Sequence, residues 1–333
     1  ISETKRAAVN EKWIEMVQRS EGINIAFTDV IRYVWNGNYR FVTKANLFNE
    51  IKKFKKTQAQ IETFVDELDE AVNAIETLIN GTRDDVREGF SGNKAHAASF
   101  ERSNALMNLL DVRLHLVMFS TLFQQRKVLP PAHVDKFSKL LAQFCLAHVG
   151  LCQNPISRIE RYLASTSQKI VEAAKLTNEK KRKQKLDSIF TIASKDVCQK
   201  YWPSNELIDE RLCDVRYENS AQSKRLIRSL MSSIEMLQVE SGELVIDWPA
   251  VNIEHIQPQN PDDSKESKKY VDCIHDLGNL TLITEKLNKK LGNKPPIEKS
   301  KLMSGSALRI TRQLAEQIDK EGWSPKIIDR RTK

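Results

Sequence analysis

The sequence predicts a mainly α protein, a helical domain over residues 1–187 followed by a C-terminal α+β domain over 188–333. Three observations predict it. The first half repeats apolar residues at the three-and-four spacing of a helix that buries one face. A lysine-rich run then interrupts the chain near residue 180, and beyond Ser220 short β-prone runs alternate with prolines, glycines and polar loops.

The elements follow in order. Ile61, Phe64, Val65, Leu68, Val72, Ile75, Leu78 and Ile79 mark a helix that Asn80-Gly81 stops. A second helix is expected from Ser103 to about Lys127, halted before Pro130-Pro131. A third carries Val134, Phe137, Leu141, Phe144, Cys145 and His148 on one side and ends at Gly150; His148 lies in the apolar stripe and reads as a packing residue. The run TNEKKRKQK between Leu176 and Leu186 reads as a solvated face or linker, with phosphate contact as its functional alternative, and supplies the domain boundary. After a helix from about Ala221 to Leu237 come Leu244-Val245-Ile246, Trp248-Pro249, a strand-like run from Val251 to Ile256, a polar loop from Gln257 to Lys269, and the run Asn279 to Ile283. Thr284 can cap a short helix over residues 285–291, Gly292 can stop it, and Pro295-Pro296 forbid its continuation.

Composition narrows the function. In 333 residues the 40% apolar content can fill real cores, and 52 basic against 44 acidic residues, a net charge of +8, mildly favours a polyanionic partner. The five cysteines are widely spaced and form no CxxC, which suggests neither a disulfide framework nor a cysteine zinc site; they read as reduced thiols of a cytoplasmic protein. The opening ISETKRAAVNEKW is too polar for a signal peptide, and no apolar run approaches the roughly 18 residues of a membrane span. Beginning at Ile1 rather than Met, the chain is expected to be part of a longer protein.

The chemistry gathers in NIEHIQPQNP, residues 252–261. Hydrolysis of a phosphodiester needs a hard cation held by oxygen ligands and a base beside the phosphorus. Glu254 suits the first role and the neutral imidazole of His255 the second. Pro258 should end the strand just beyond them, so that the neighbouring side chains need not diverge to opposite faces. Asn288 lies mid-helix, where asparagine is a mediocre helix former, and its amide oxygen suits a hard cation; Leu287 and Leu291 would pin that helix to the strands. Asn279, after Gly278, can hold the loop and keep His255 in register. Taken singly, these residues are a strand end, a turn and a surface position.

As an ordered set, EHIxPQ, then GNLTLIT, then an asparagine nine residues after the first, they resemble the HNH or ββα-metal nucleases. The text from Ile253 to Gln259, Leu277 to Thr284, Asn288, Lys294-Pro295 and Lys299 is most similar to the GmrD-type C-terminal domain of modification-dependent restriction systems. Trp323, Ile327, Ile328 and Arg330 also look like the end of that group. The resemblance implies a ββα-metal core at about 244–293, with His255 as base, Glu254 and Asn288 on Mg²⁺ or Mn²⁺, Asn279 supporting the catalytic loop, and His275 in a substrate-contacting or structural role. It covers roughly the last 120 residues. The partner half of such proteins, a ParB-like NTPase domain with a DGQQR signature, is absent, and no GxxxxGK[ST] occurs, so NTP hydrolysis is not expected of this chain.

Lys286, Lys289, Lys290, Lys294, Lys299 and Lys301 stand against one acid, Glu298, which suggests sequence-independent contacts to double-stranded DNA. Two other readings stay open: a non-catalytic DNA-binding module, and a helical interaction protein, which fits residues 1–187 but leaves the later motif unexplained.

Overall fold

The structure, a computed structural model, describes residues 3–90, 94–113, 115–238, 250–259 and 268–333. The expected strand-like residues from Leu244 to Pro249, and the middle of the expected loop before Lys269, lie outside them. The first twelve helices are α1 (Glu3–Gly22), α2 (Phe27–Asn38), α3 (Leu47–Phe54), α4 (Gln58–Asn80), α5 (Arg83–Arg87), α6 (Lys94–Leu110), α7 (Leu116–Gln124), α8 (Pro131–Cys145), α9 (Ser157–Ala174), α10 (Glu179–Asp196), α11 (Asn205–Cys213) and α12 (Ala221–Gln238). Then come β1 (Val251–His255), β2 (Leu280–Thr284), α13 (Glu285–Leu291), α14 (Pro296–Met303), α15 (Arg309–Glu321) and α16 (Pro325–Thr332). The protein is mainly α, as the periodicity predicts.

Two compact units divide the chain. The first takes residues 1–104, 112–142 and 155–201; the second takes 105–111, 143–154 and 202–333. In the first, α2 packs against α4, α7 and α9 around a fully buried Trp35, with Leu68, Val72 and Ile75 of α4 delivering the predicted stripe. Thr57 and Gln60 close a reciprocal capping box at the start of α4, which satisfies two of its orphan N–H groups.

In the second unit β1 and β2 pair antiparallel, from Val251 opposite Thr284 to His255 opposite Leu280. The hairpin has two apolar sides. Val251, Leu280 and Leu282 join a cluster with Ile227 and Met231 of α12, while Ile256 and Ile283 join Leu291, Met303, Leu314 and Ile318. Leu287 packs on the second cluster beside Leu291, so α13 is pinned to the strands as its leucines predict. Thr284 caps α13 through the Leu287 N–H, and Gly292 ends it at a positive φ of 49°, a conformation glycine adopts without strain.

Three elements differ from the sequence expectation. The helix expected from Ser103 to Lys127 breaks into α6 and α7 at Asp111, which sits at φ 58° in the left-handed region. No glycine or proline marks that break, and the apolar density on both sides hides it. Pro295-Pro296, beyond the Gly292 stop and read only as a barrier to continuation, also begin α14, because proline at the first helical position lacks only an N–H that would be unpaired there. The lysine run that suggested a boundary at 187 lies on the exposed side of the continuous helix α10, and the division falls after Tyr201. Charge repulsion along a solvated helix costs little, so such a run need not break the chain.

Candidate active site

The site is built where β1 ends. Glu254 and His255 are its last two residues, paired with Thr281 and Leu280, so the strand is regular through both and the chain bends only beyond them. The sequence suggested that the bend would free the two side chains from diverging to opposite faces; the regular register through both residues gives them separate neighbours.

His255 is 5% exposed. Its ring meets Tyr217 edge-on at 4.6 Å and His275 edge-on at 5.5 Å. The Gln259 side-chain amide lies 2.8 Å from Nδ1, and when its nitrogen donates there the ring proton resides on Nε2. Burial, with help from the nearby His275 and Lys299, pushes the imidazole pKa down to about 3. His255 is thus a neutral imidazole at ordinary pH.

Tyr217 reaches this place through backbone pairing. Arg216 bridges Asp276, the Tyr217 N–H donates to the His275 carbonyl at 2.7 Å, and Arg216 Nε holds Asp276 Oδ1 at 2.8 Å. These bonds attach the 216–217 segment beside the turn that precedes β2. His275 itself lies nearly parallel to Tyr217, 6.1 Å between ring centres, and its Nδ1 is buried with no hydrogen-bond partner among the described residues.

Glu254 has a different neighbour. Its Oε1 lies 2.6 Å from Lys299 Nζ on α14, and the same ammonium donates to the His255 carbonyl at 2.6 Å. Lys299 is 1% exposed, so it is not one of the surface lysines with which its position had grouped it. Burial drives the carboxyl pKa up and the ammonium pKa down, against their mutual attraction. Oε1 is buried, and beyond this ion pair it has no hydrogen-bond partner among the described residues.

Asn279 is fully buried and its amide is fully used. Oδ1 accepts from the Gln257 N–H at 2.9 Å and from Trp323 Nε1 at 3.3 Å, while Nδ2 donates to the carbonyls of Gln257 at 3.1 Å and Ile274 at 2.7 Å. Preceding it, Gly278 lies so close to α16 that a Cβ would meet the Ile328 carbonyl oxygen at 2.0 Å, so no larger residue fits there. Asn279 thus clamps the segment after β1, the turn before β2 and the C-terminal tryptophan together.

Asn288 lies half-buried on α13, which packs against both strands, and its side-chain amide makes no hydrogen bond among the described residues. Among the described residues, no cluster of three or more His, Cys, Asp or Glu side chains is placed to hold a metal. Among the described residues the donors on offer are oxygens, those of the Glu254 carboxylate and the Asn288 amide, which fits a hard cation that keeps most of its water shell. Lys286, Lys289, Lys290 and Lys294 are all exposed; Lys289 pairs with Glu285 at 2.6 Å, and Lys294 Nζ bonds the Lys290 carbonyl at 2.9 Å.

Sequence reasoning missed Tyr217 and the burial of Lys299, and took Gln259 and Trp323 only as motif letters. Tyr217 carried no signal, because its place depends on backbone pairing with a distant turn. Residues 202–333 match the family model of the GmrSD restriction endonucleases, C-terminal domain. No curated protein matches the chain. No helix among the described residues is long and apolar enough to cross a membrane.

Proposed function

We propose, from the premise that residues 202–333 form the C-terminal domain of a GmrSD restriction endonuclease, that they are a ββα-metal nuclease, a metal-dependent DNA endonuclease or nickase. The chain would then be the effector part of an antiphage restriction protein that works with a sensor or NTPase domain. The observation that carries this reading is the placement of the His255 imidazole at the end of β1, next to the Glu254 carboxylate and ahead of a segment clamped by Asn279.

His255 is the general base. Gln259 is exposed and its amide nitrogen lies 2.8 Å from Nδ1 and 3.2 Å from Nε2, so an attacking water that displaces it can give its proton to the ring. Tyr217 and His275 hold the ring edge-on, and Asn279 fixes the backbone that presents it. Glu254 and Asn288 would hold Mg²⁺ or Mn²⁺, which when bound polarises the phosphate and stabilises the departing oxygen. Lys286, Lys289, Lys290 and Lys294 contact DNA phosphates beside the site without reading bases. His275 stays close enough to His255 to touch the same nucleotide.

The test is conversion of supercoiled plasmid by the purified chain with and without Mg²⁺ or Mn²⁺, beside His255→Ala. Cation-dependent nicking or linearisation, lost in the variant while DNA affinity is kept, is the expected result. A variant that cuts at the wild-type rate would remove His255 from the role of base. DNA binding without cation-dependent cutting by the chain joined to its sensor domain would favour a non-catalytic module, a reading that the ammonium already seated on Glu254 makes concrete.

A further inference from the structure

The buried ion pair between Lys299 and Glu254 has no role in the reaction described above. A lysine 1% exposed is rare, because an ammonium leaves water only for strong partners. Here it has two, the Glu254 carboxylate and the His255 carbonyl, each at 2.6 Å. The ammonium therefore occupies an oxygen of the one carboxylate that would hold a divalent cation, and it places a positive charge beside that cation's position.

We propose that Lys299 is a resident counter-ion of Glu254 that competes with the divalent metal and keeps metal affinity low in the absence of DNA. The inference rests on Glu254 being a metal ligand. Two like charges in contact with one carboxylate oppose each other strongly where water is excluded. With Glu254 and Asn288 the ligands offered among the described residues, the cation does not displace the lysine until phosphate oxygens add ligands and negative charge. An idle chain then carries little metal, and cutting waits for substrate.

The experiment is a Mn²⁺ titration of the full chain without DNA, read by the electron paramagnetic resonance signal of free Mn²⁺. Lys299→Gln keeps a hydrogen-bond donor for the His255 carbonyl and removes the charge; it should bind Mn²⁺ at least about tenfold tighter than wild type. The gain should vanish in the double variant Lys299→Gln, Glu254→Gln. Equal or weaker binding by folded Lys299→Gln, or a gain that survives in the double variant, overturns the proposal. A second measurement needs no lysine variant: Glu254→Gln alone should change DNA-free Mn²⁺ affinity by less than about threefold, since the carboxylate is already occupied. Tight wild-type binding that Glu254→Gln abolishes would overturn the proposal equally. None of these readouts depends on cleavage, so a chain that fails to cut plasmid fails the nuclease reading without deciding the fate of Lys299.

Discussion

Asn279 shows how much one side chain can organise. All four hydrogen-bonding positions of its amide are used, three of them by backbone groups of residues 257 and 274, so it positions the site rather than touching substrate. Asn279→Ala should leave those groups buried without partners and lower stability by about 3 kcal/mol in urea unfolding, with slower cleavage as the loop loses register. An unchanged unfolding midpoint with lost activity would instead place Asn279 against the substrate. Glu254, His255, Asn279 and Asn288 stand out in the sequence as an ordered set, and the structure places Glu254 and His255 at the end of β1 with Asn279 hydrogen-bonded to the segment that follows. The shell around them does not stand out. Lys299 and Trp323 each reach the site from 44 residues away, and nothing in local sequence separates a buried lysine from its exposed neighbours.

Among the elements, α15 shows why caps can escape a sequence reading. Its N-cap residue is Leu308, fully buried and unable to accept a hydrogen bond with its side chain. The first N–H groups of the helix, those of Arg309 and Ile310, donate instead to the two carboxylate oxygens of Glu235 on α12, each at 2.8 Å. A carboxylate at a helix N-terminus is favoured by both the unpaired N–H groups and the helix dipole. Glu235→Ala should therefore cost about 2 kcal/mol, and Glu235→Gln, which keeps one acceptor oxygen, about half as much. Equal stability of all three proteins in a denaturant titration would show that α15 draws nothing from this contact. The helices themselves were readable from periodicity and the hairpin from its β-prone runs, whereas the cap from α12 and the break at Asp111 are products of tertiary packing.

At the scale of the molecule, the two units draw on interleaved stretches of chain, a pattern that a boundary read from one local charge run does not express. Each unit also holds a buried imidazole, His115 in the first at 0% exposure and His255 in the second at 5%, and burial lowers both pKa values to about 3. A folded-state pKa below the unfolded value means that, as pH falls through about 6.5, the unfolded chain takes up a proton that the folded chain refuses. Stability is therefore intact above that pH and declines as the solution is acidified toward 3, by about 1.4 kcal/mol per pH unit for each histidine. From pH 6.5 to 5 each unit should lose about 2 kcal/mol through its histidine. Amide hydrogen exchange, which follows the units separately, can measure this. His115→Leu fills a similar volume and takes up no proton in either state, so it should flatten the acid dependence of the first unit and leave that of the second unchanged. If the first unit still weakens with the wild-type slope, His115 titrates as freely when folded as when unfolded, and its burial does not govern acid sensitivity.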